Sequence, residues 1–259
     1  MKTRLFYGES KTPFVNAEAL KALAHGTIAA SPLMQLVYAG NRAAIEALLI
    51  GYWYFVYQFE VGIDRRAKEL FRYRKQLLAR FGDFAETFRS IAKAVAEMKQ
   101  EEGVHAKIWQ ADALRFGISS IQSETLAEGV RELVESAEIA PLWKHYCVLG
   151  GTEDIAVALS ERAKDSPQFL SAFSNGRFLW GETHLLPDPP GRPSHHEIDR
   201  DLARALYAVE FPKATDDEAR KALQSAEADT IRLFGKAADD VYRLFGLDKL
   251  EPPMLVAAE

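Results

Sequence analysis

Cysteine is nearly missing from this chain. Cys147 is the only one in 259 residues, which excludes an internal disulfide and predicts a reducing, cytoplasmic setting. Proline is missing from one long span, Leu33 to Ala140, so nothing there forces a helix to stop. Threonine is scarce beside alanine, nine against 38, a balance that favours helix over strand. No alternating apolar–polar run is long enough for a strand, and no repeat of about 20–50 residues is visible. Basic blocks are missing too. The formal net charge is −5, from 32 basic and 37 acidic residues, so the chain has no general attraction for nucleic acid. The longest apolar stretch, Ala47 to Tyr57, falls well short of the roughly 20 residues of a membrane span. Its flanks, Glu46 and Glu60, disfavour an anionic bilayer surface. The opening Met1-Lys-Thr-Arg-Leu-Phe-Tyr lacks the apolar run of a signal peptide. Gly150-Gly151 is too short for a phosphate-binding loop, and no Gly-x-Ser-x-Gly elbow occurs.

What is present reads as helix. Hydrophobic residues make up 48% of the chain, enough for a real core and too many for disorder. Glycines paired with Asn, Asp or Ser break the pattern at Gly40-Asn41, Gly62-Ile63-Asp64, Gly82-Asp83 and Gly117-Ile-Ser-Ser; each pair can stop one helix and cap the next. The spacing predicts helices over 16–30, 41–61, 64–81, 83–116, 123–139, 142–164, 167–182, 195–210 and 216–245. Four prolines and a glycine predict a rigid loop over 186–194. The expected architecture is all-α, with residues 1–259 forming one helical domain.

Two helices carry polar residues where apolar ones are expected. Continuing the stripe Ile91, Val95, Met98 by steps of three or four reaches Glu102, His105, Trp109 and Asp112. Burying a charge costs several kcal/mol unless it is paired or coordinated. Glu-x-x-His on one helix face is also a spacing at which two side chains meet one metal ion, although a local ion pair fits it equally. On 195–210, His195 and Asp199 share a face with Leu202 and Leu206. Here a capped first turn is the competing reading, with acids complementing the helix dipole. Glu182-Thr-His184 either flanks a site or simply precedes the loop. Cys147 reads as inert packing unless a base lies close.

Several of these segments resemble a known family. Glu102-Gly-Val-His105-Ala-Lys-Ile-Trp109, running on to Phe116-Gly117-Ile118, resembles the first metal-binding helix of the haem-oxygenase-like di-iron oxidases. That group includes the UndA-type fatty-acid decarboxylases and the CADD-type proteins. Ile50-Gly-Tyr-Trp-Tyr-Phe-Val-Tyr-Gln-Phe59 looks like the aromatic helix that precedes it. His195-His-Glu-Ile-Asp199-Arg-Asp-Leu202 is similar to the family's late His-x-Glu-x-Asp-x-x-His segment. TenA-type thiaminases and PqqC-type oxidases share the fold, a bundle of about seven helices.

The resemblance implies an iron-dependent oxidase or oxygenase. It would act with O2 on a small amino-acid-like or fatty-acid-like substrate. Glu102, His105, His195 and Asp199 match ligand positions. Leu149 and Leu202 stand where the family has a glutamate and a histidine, and Glu153, one turn from Leu149, is the candidate substitute. The implied cofactor is therefore iron in a mononuclear or partly occupied dinuclear site, or manganese. The implied substrate pocket is lined by Trp53, Tyr57, Trp109, Leu149 and Leu202. Two alternatives stay open: a cofactor-free oxidase of PqqC type, using His and Tyr for proton transfer, and a non-enzymatic member that binds a small ligand or a partner. The expected partners are a small molecule and O2, with no nucleic acid and no membrane; a homodimer is compatible with all three readings.

Overall fold

The computed structural model describes residues 14–81, 85–121, 126–186 and 194–249. The side chains of residues 60, 85–92, 94, 97–98, 101–102 and 195 lie outside the description. All the regular structure among the described residues is helical.

The helices are α1 (Ala17–Ala30), α2 (Pro32–Tyr38), α3 (Arg42–Gly51), α4 (Trp53–Leu70), α5 (Arg74–Phe81), α6 (Ala85–Phe116), α7 (Glu128–Ile139), α8 (Leu142–Lys164), α9 (Pro167–Leu170), α10 (Leu179–His184), α11 (His195–Glu210) and α12 (Asp216–Leu244). Short 3-10 turns follow α4 and α12.

Local chemistry explains most of the boundaries. Asn16, Ser31 and Asn41 each accept a backbone N–H of the following first turn, and Pro32 occupies the position where no donor is needed. Ser194 with Glu197, and Thr215 with Glu218, form reciprocal capping boxes that start α11 and α12. Gly40 and Gly117 turn the chain at φ +78° and +109°, in the left-handed region that glycine enters without strain.

Three sequence expectations change. The helix expected over 41–61 breaks at Tyr52, which closes α3. Tyr52 is buried, donates its hydroxyl to the Phe234 carbonyl at 3.1 Å, and stacks on the Phe234 ring. The break expected at Gly62-Ile63-Asp64 does not occur, because α4 runs through it. Asp64 caps nothing. It pairs with Lys68 at 2.9 Å and with Lys99 of α6 at 2.6 Å, and hydrogen bonds from these two lysines hold its carboxyl down at about 2. The helix expected over 167–182 divides into α9 and α10 around a turn at Gly176. The break expected at Gly82-Asp83 and the interior of the 186–194 loop lie outside the described residues.

α8 and α12 run through the middle of the bundle. α12 packs against α1, α2, α3, α7, α8 and α11, and α8 against α1, α4, α7, α9, α10, α11 and α12. α6 lies against α4 and α10. One continuous apolar cluster runs from Val15 to Leu247. No described helix is long and apolar enough to cross a membrane.

Candidate active site

Helix periodicity places His105 and Trp109 of α6 one turn apart, on the side that meets α4 and α10. Trp109 is 2% exposed and donates its indole N–H to the Leu49 carbonyl at 2.9 Å, which locks its ring. The Trp180 ring meets it edge-on at 5.1 Å, and one turn later His184 lies 4.0 Å from Trp180, centroid to centroid. The His184 Nδ1 is 2.8 Å from the Trp180 carbonyl. A carbonyl only accepts, so the proton sits on Nδ1. The rings of His105 and His184 are 4.5 Å apart.

Asp112 holds this arrangement together. It is fully buried on α6 and accepts the Trp180 N–H at 2.8 Å and Arg115 at 3.1 Å. Burial pushes its carboxyl up, against the backbone N–H groups of Trp180 and Leu179 that stabilise the charge. The acid therefore sits at the start of α10, where the helix dipole favours a negative charge.

His105, Trp109, Trp180 and His184 wall a cavity of about 570 Å³, part of it open to solvent. Leu48, Tyr52, Phe55, Val56 and Phe59 of α3 and α4 form one side, and Ile155, Ala156 and Leu159 of α8 another. The ionisable groups inside are His105, Glu153 and His184, with the Tyr52 phenol; burial pushes that phenol well above its ordinary range.

The expected site residues fall in different places. His105, Glu153 and Trp109 line this cavity. Asp199 is completely buried on α11. Glu102 and His195 lie on α6 and α11, but their side chains are outside the described residues. Leu149 lines a second, smaller cavity, and Leu202 is packed in the core at 1% exposure. Trp53 and Tyr57 line neither cavity; their rings meet at a tilt, 5.7 Å between centroids, and Tyr57 is 50% exposed. Sequence reasoning gave His184 too little weight. The spacing of Trp180 and His184, one turn apart just before a proline loop, was the available signal.

Iron or manganese is the cofactor the resemblance implies. Among the described residues, no three of His, Cys, Asp and Glu come together in a group able to hold a metal ion. The described donors alone therefore do not fit a metal. Cys147 does not alter this: it is fully buried, and burial followed by the charges of Glu227 and Asp199 pushes its thiol far up, as inert packing requires.

Beside this region lies a buried charge cluster. Arg200 donates to Glu227 at 2.8–3.2 Å and to Asp154 at 3.1 Å. His196 approaches Asp154 at 3.1 Å. Burial lowers the His196 imidazole, but the Asp154 carboxylate outweighs burial and raises it overall. The cluster ties α8, α11 and α12 together.

The all-helical bundle belongs to the haem-oxygenase-like, TenA-like fold class. A crystal structure of a TenA homologue from Pseudomonas syringae pv. tomato superposes with a TM-score of 0.63, over 92% of this chain and 96% of that one, at 14% identity. Neither the protein-family models nor the curated protein sequences compared with the chain give a match.

Proposed function

We propose that the protein is a small-molecule enzyme. Its substrate is largely apolar, amino-acid-like or fatty-acid-like, and presents a polar head to His105, His184 and Glu153. The observation that carries this reading is that one apolar, aromatic-walled cavity gathers two imidazoles and a carboxylate. Aromatic walls select an apolar body, and a few convergent polar groups orient it. Imidazoles titrate near neutral pH and serve as proton donor or acceptor to a bound substrate. The indole clamp of Trp109 and Trp180 keeps water from one side of the cavity.

Trp109 and Trp180 also supply the assay. Titration with a medium-chain fatty acid such as dodecanoate should give a saturable change in tryptophan fluorescence. Ala156→Trp, which fills the cavity from α8, should abolish it. Saturable binding left intact by that variant would overturn the placement of the substrate.

A second reading is an iron-dependent oxidase using O2. Complete burial of Asp199 supports it, because a carboxylate inside a leucine-rich face requires compensation. This reading needs Glu102 and His195 to join His105 and Asp199. Metal analysis of protein purified without chelators separates the two. Stoichiometric iron that falls by at least half in His105→Ala supports the oxidase. Protein that turns substrate over without iron supports acid–base chemistry at His105 and His184. Saturable binding without any turnover identifies a binding protein instead.

A further inference from the structure

The cavity that holds His105 and His184 differs from one end to the other. Exposure and polarity fall together along each segment that walls it. On α8, Thr152 and Glu153 are half-buried, whereas Ala156 and Leu159 are buried. On α6, His105 is half-buried, and Trp109 one turn later is 2% exposed. Along α4 and back into α3, Phe59 and Val56 are half-buried, and Phe55, Tyr52 and Leu48 are buried. His184 of α10 is half-buried as well. The imidazoles and the carboxylate therefore stand at the outer end.

The inner end offers a ligand no hydrogen bond. Among the buried lining residues the polar side-chain atoms belong to Trp109 and Tyr52, and both are engaged. The Trp109 indole N–H donates to the Leu49 carbonyl at 2.9 Å, and the Tyr52 hydroxyl donates to the Phe234 carbonyl at 3.1 Å. A polar group moved there would lose its water and gain no partner, which is costly. Hydrocarbon meets no such penalty.

The inner end is also closed. Tyr52 sits at the junction of α3 and α4, and Phe234 belongs to α12. Their rings stack with centroids 4.8 Å apart and planes at 30°. Both are buried, at 2% and 6% exposure. Swinging Tyr52 aside would break the stack and its hydrogen bond to α12 together.

We infer that the substrate enters tail first, and that the Tyr52–Phe234 pair sets the longest hydrocarbon body accepted. The polar head stays at the outer end with His105, Glu153 and His184. This orientation rests on the reading of the cavity as a substrate site. Leu159 lies about two turns of α8 inward from Thr152, roughly 10 Å along the axis. The class selected is therefore an amphiphile with one polar end and a hydrocarbon body of limited length.

The probe is the series of straight-chain fatty acids from hexanoate to hexadecanoate, each below its micelle-forming concentration, with binding read by tryptophan fluorescence and calorimetry. In wild-type protein, affinity should rise about fourfold per methylene and stop rising at one length. Phe234→Ala removes part of the end wall and should carry the rise further. The first acid past the wild-type ceiling should bind this variant about fourfold more tightly than wild type. Phe234→Leu should move the ceiling the same way, which keeps the test intact if Phe234→Ala fails to fold. His184→Ala, at the outer end, should weaken every acid by a similar factor and leave the ceiling in place. A ceiling unmoved by both Phe234 variants, or displaced by His184→Ala, would overturn the orientation while leaving the cavity a substrate site. No saturable binding of any acid in the series would overturn the substrate reading itself, and the orientation with it.

Discussion

A buried histidine makes stability depend on pH in a direction that follows from its environment. Free histidine titrates near 6.5, whereas burial holds His145 at about 3. Between those values the unfolded chain binds a proton that the folded chain refuses. His145 therefore leaves stability undiminished above about pH 6.5, and stability is lost as pH falls toward 3. At pH 5 the loss from this residue is about 2 kcal/mol. Urea midpoints measured from pH 7 to 5 should fall in wild-type protein and fall less in His145→Gln. Parallel curves would show that His145 is protonated in the fold. Asp112 acts differently, through geometry. Asp112→Ala leaves the Trp180 N–H without its acceptor at the start of α10, which should destabilise the protein by about 1–3 kcal/mol. It should also loosen His184 against His105, visible as exchange broadening of both imidazole resonances. An unaltered His184 signal would show that α10 is held by its aromatic contacts alone.

At the scale of the element, two helix-interior glycines should respond oppositely to the same substitution. Gly151 of α8 faces α12 so closely that a Cβ would lie 2.8 Å from the Glu227 carbonyl oxygen and 3.0 Å from the Thr230 Cβ. Backbone cannot yield as a flexible side chain does, so Gly151→Ala should cost about 1–3 kcal/mol by overpacking. Gly62→Ala meets open space and removes a poor helix former from α4, so it should stabilise by about 0.5–1 kcal/mol. Thermal melts of both variants check the pair; a shift of the same sign in each would contradict the packing described. In sequence the two glycines look alike. Gly62 with Asp64 close behind it reads as a helix stop, yet that carboxylate is engaged by Lys68 and by Lys99 of another helix. Tyr52 shows the converse: at the junction of α3 and α4 its ring and hydroxyl are held by Phe234 of α12, a contact no local pattern announces.

For the whole molecule, the central position of α12 predicts strong cooperativity. Six other helices pack on it, and it supplies Glu227, the fully buried partner of Arg200. A chain ending at Ala214 should lose the core packing that α12 supplies and leave Arg200 paired with Asp154 but not with Glu227, and weakening a buried ion network is destabilising. Such a chain should show no cooperative urea transition, and a sharp transition would place the folding core elsewhere. The helix boundaries around this core were legible before any coordinates. α1, α8, α11 and α12 lie within a residue or two of where capping residues and apolar spacing put them, since caps and the 3.6-residue period act within one turn of chain. Asp112 of α6 and Asp199 of α11, both fully buried, were legible for the same reason. Their company was not. Whether His105 meets His184, whether Leu149 faces the first cavity or the second, and whether Tyr57 points in or out depend on how helices distant in sequence rotate and dock. That rotation is set by the joint packing of side chains from several helices at once, so it exists only in the assembled bundle.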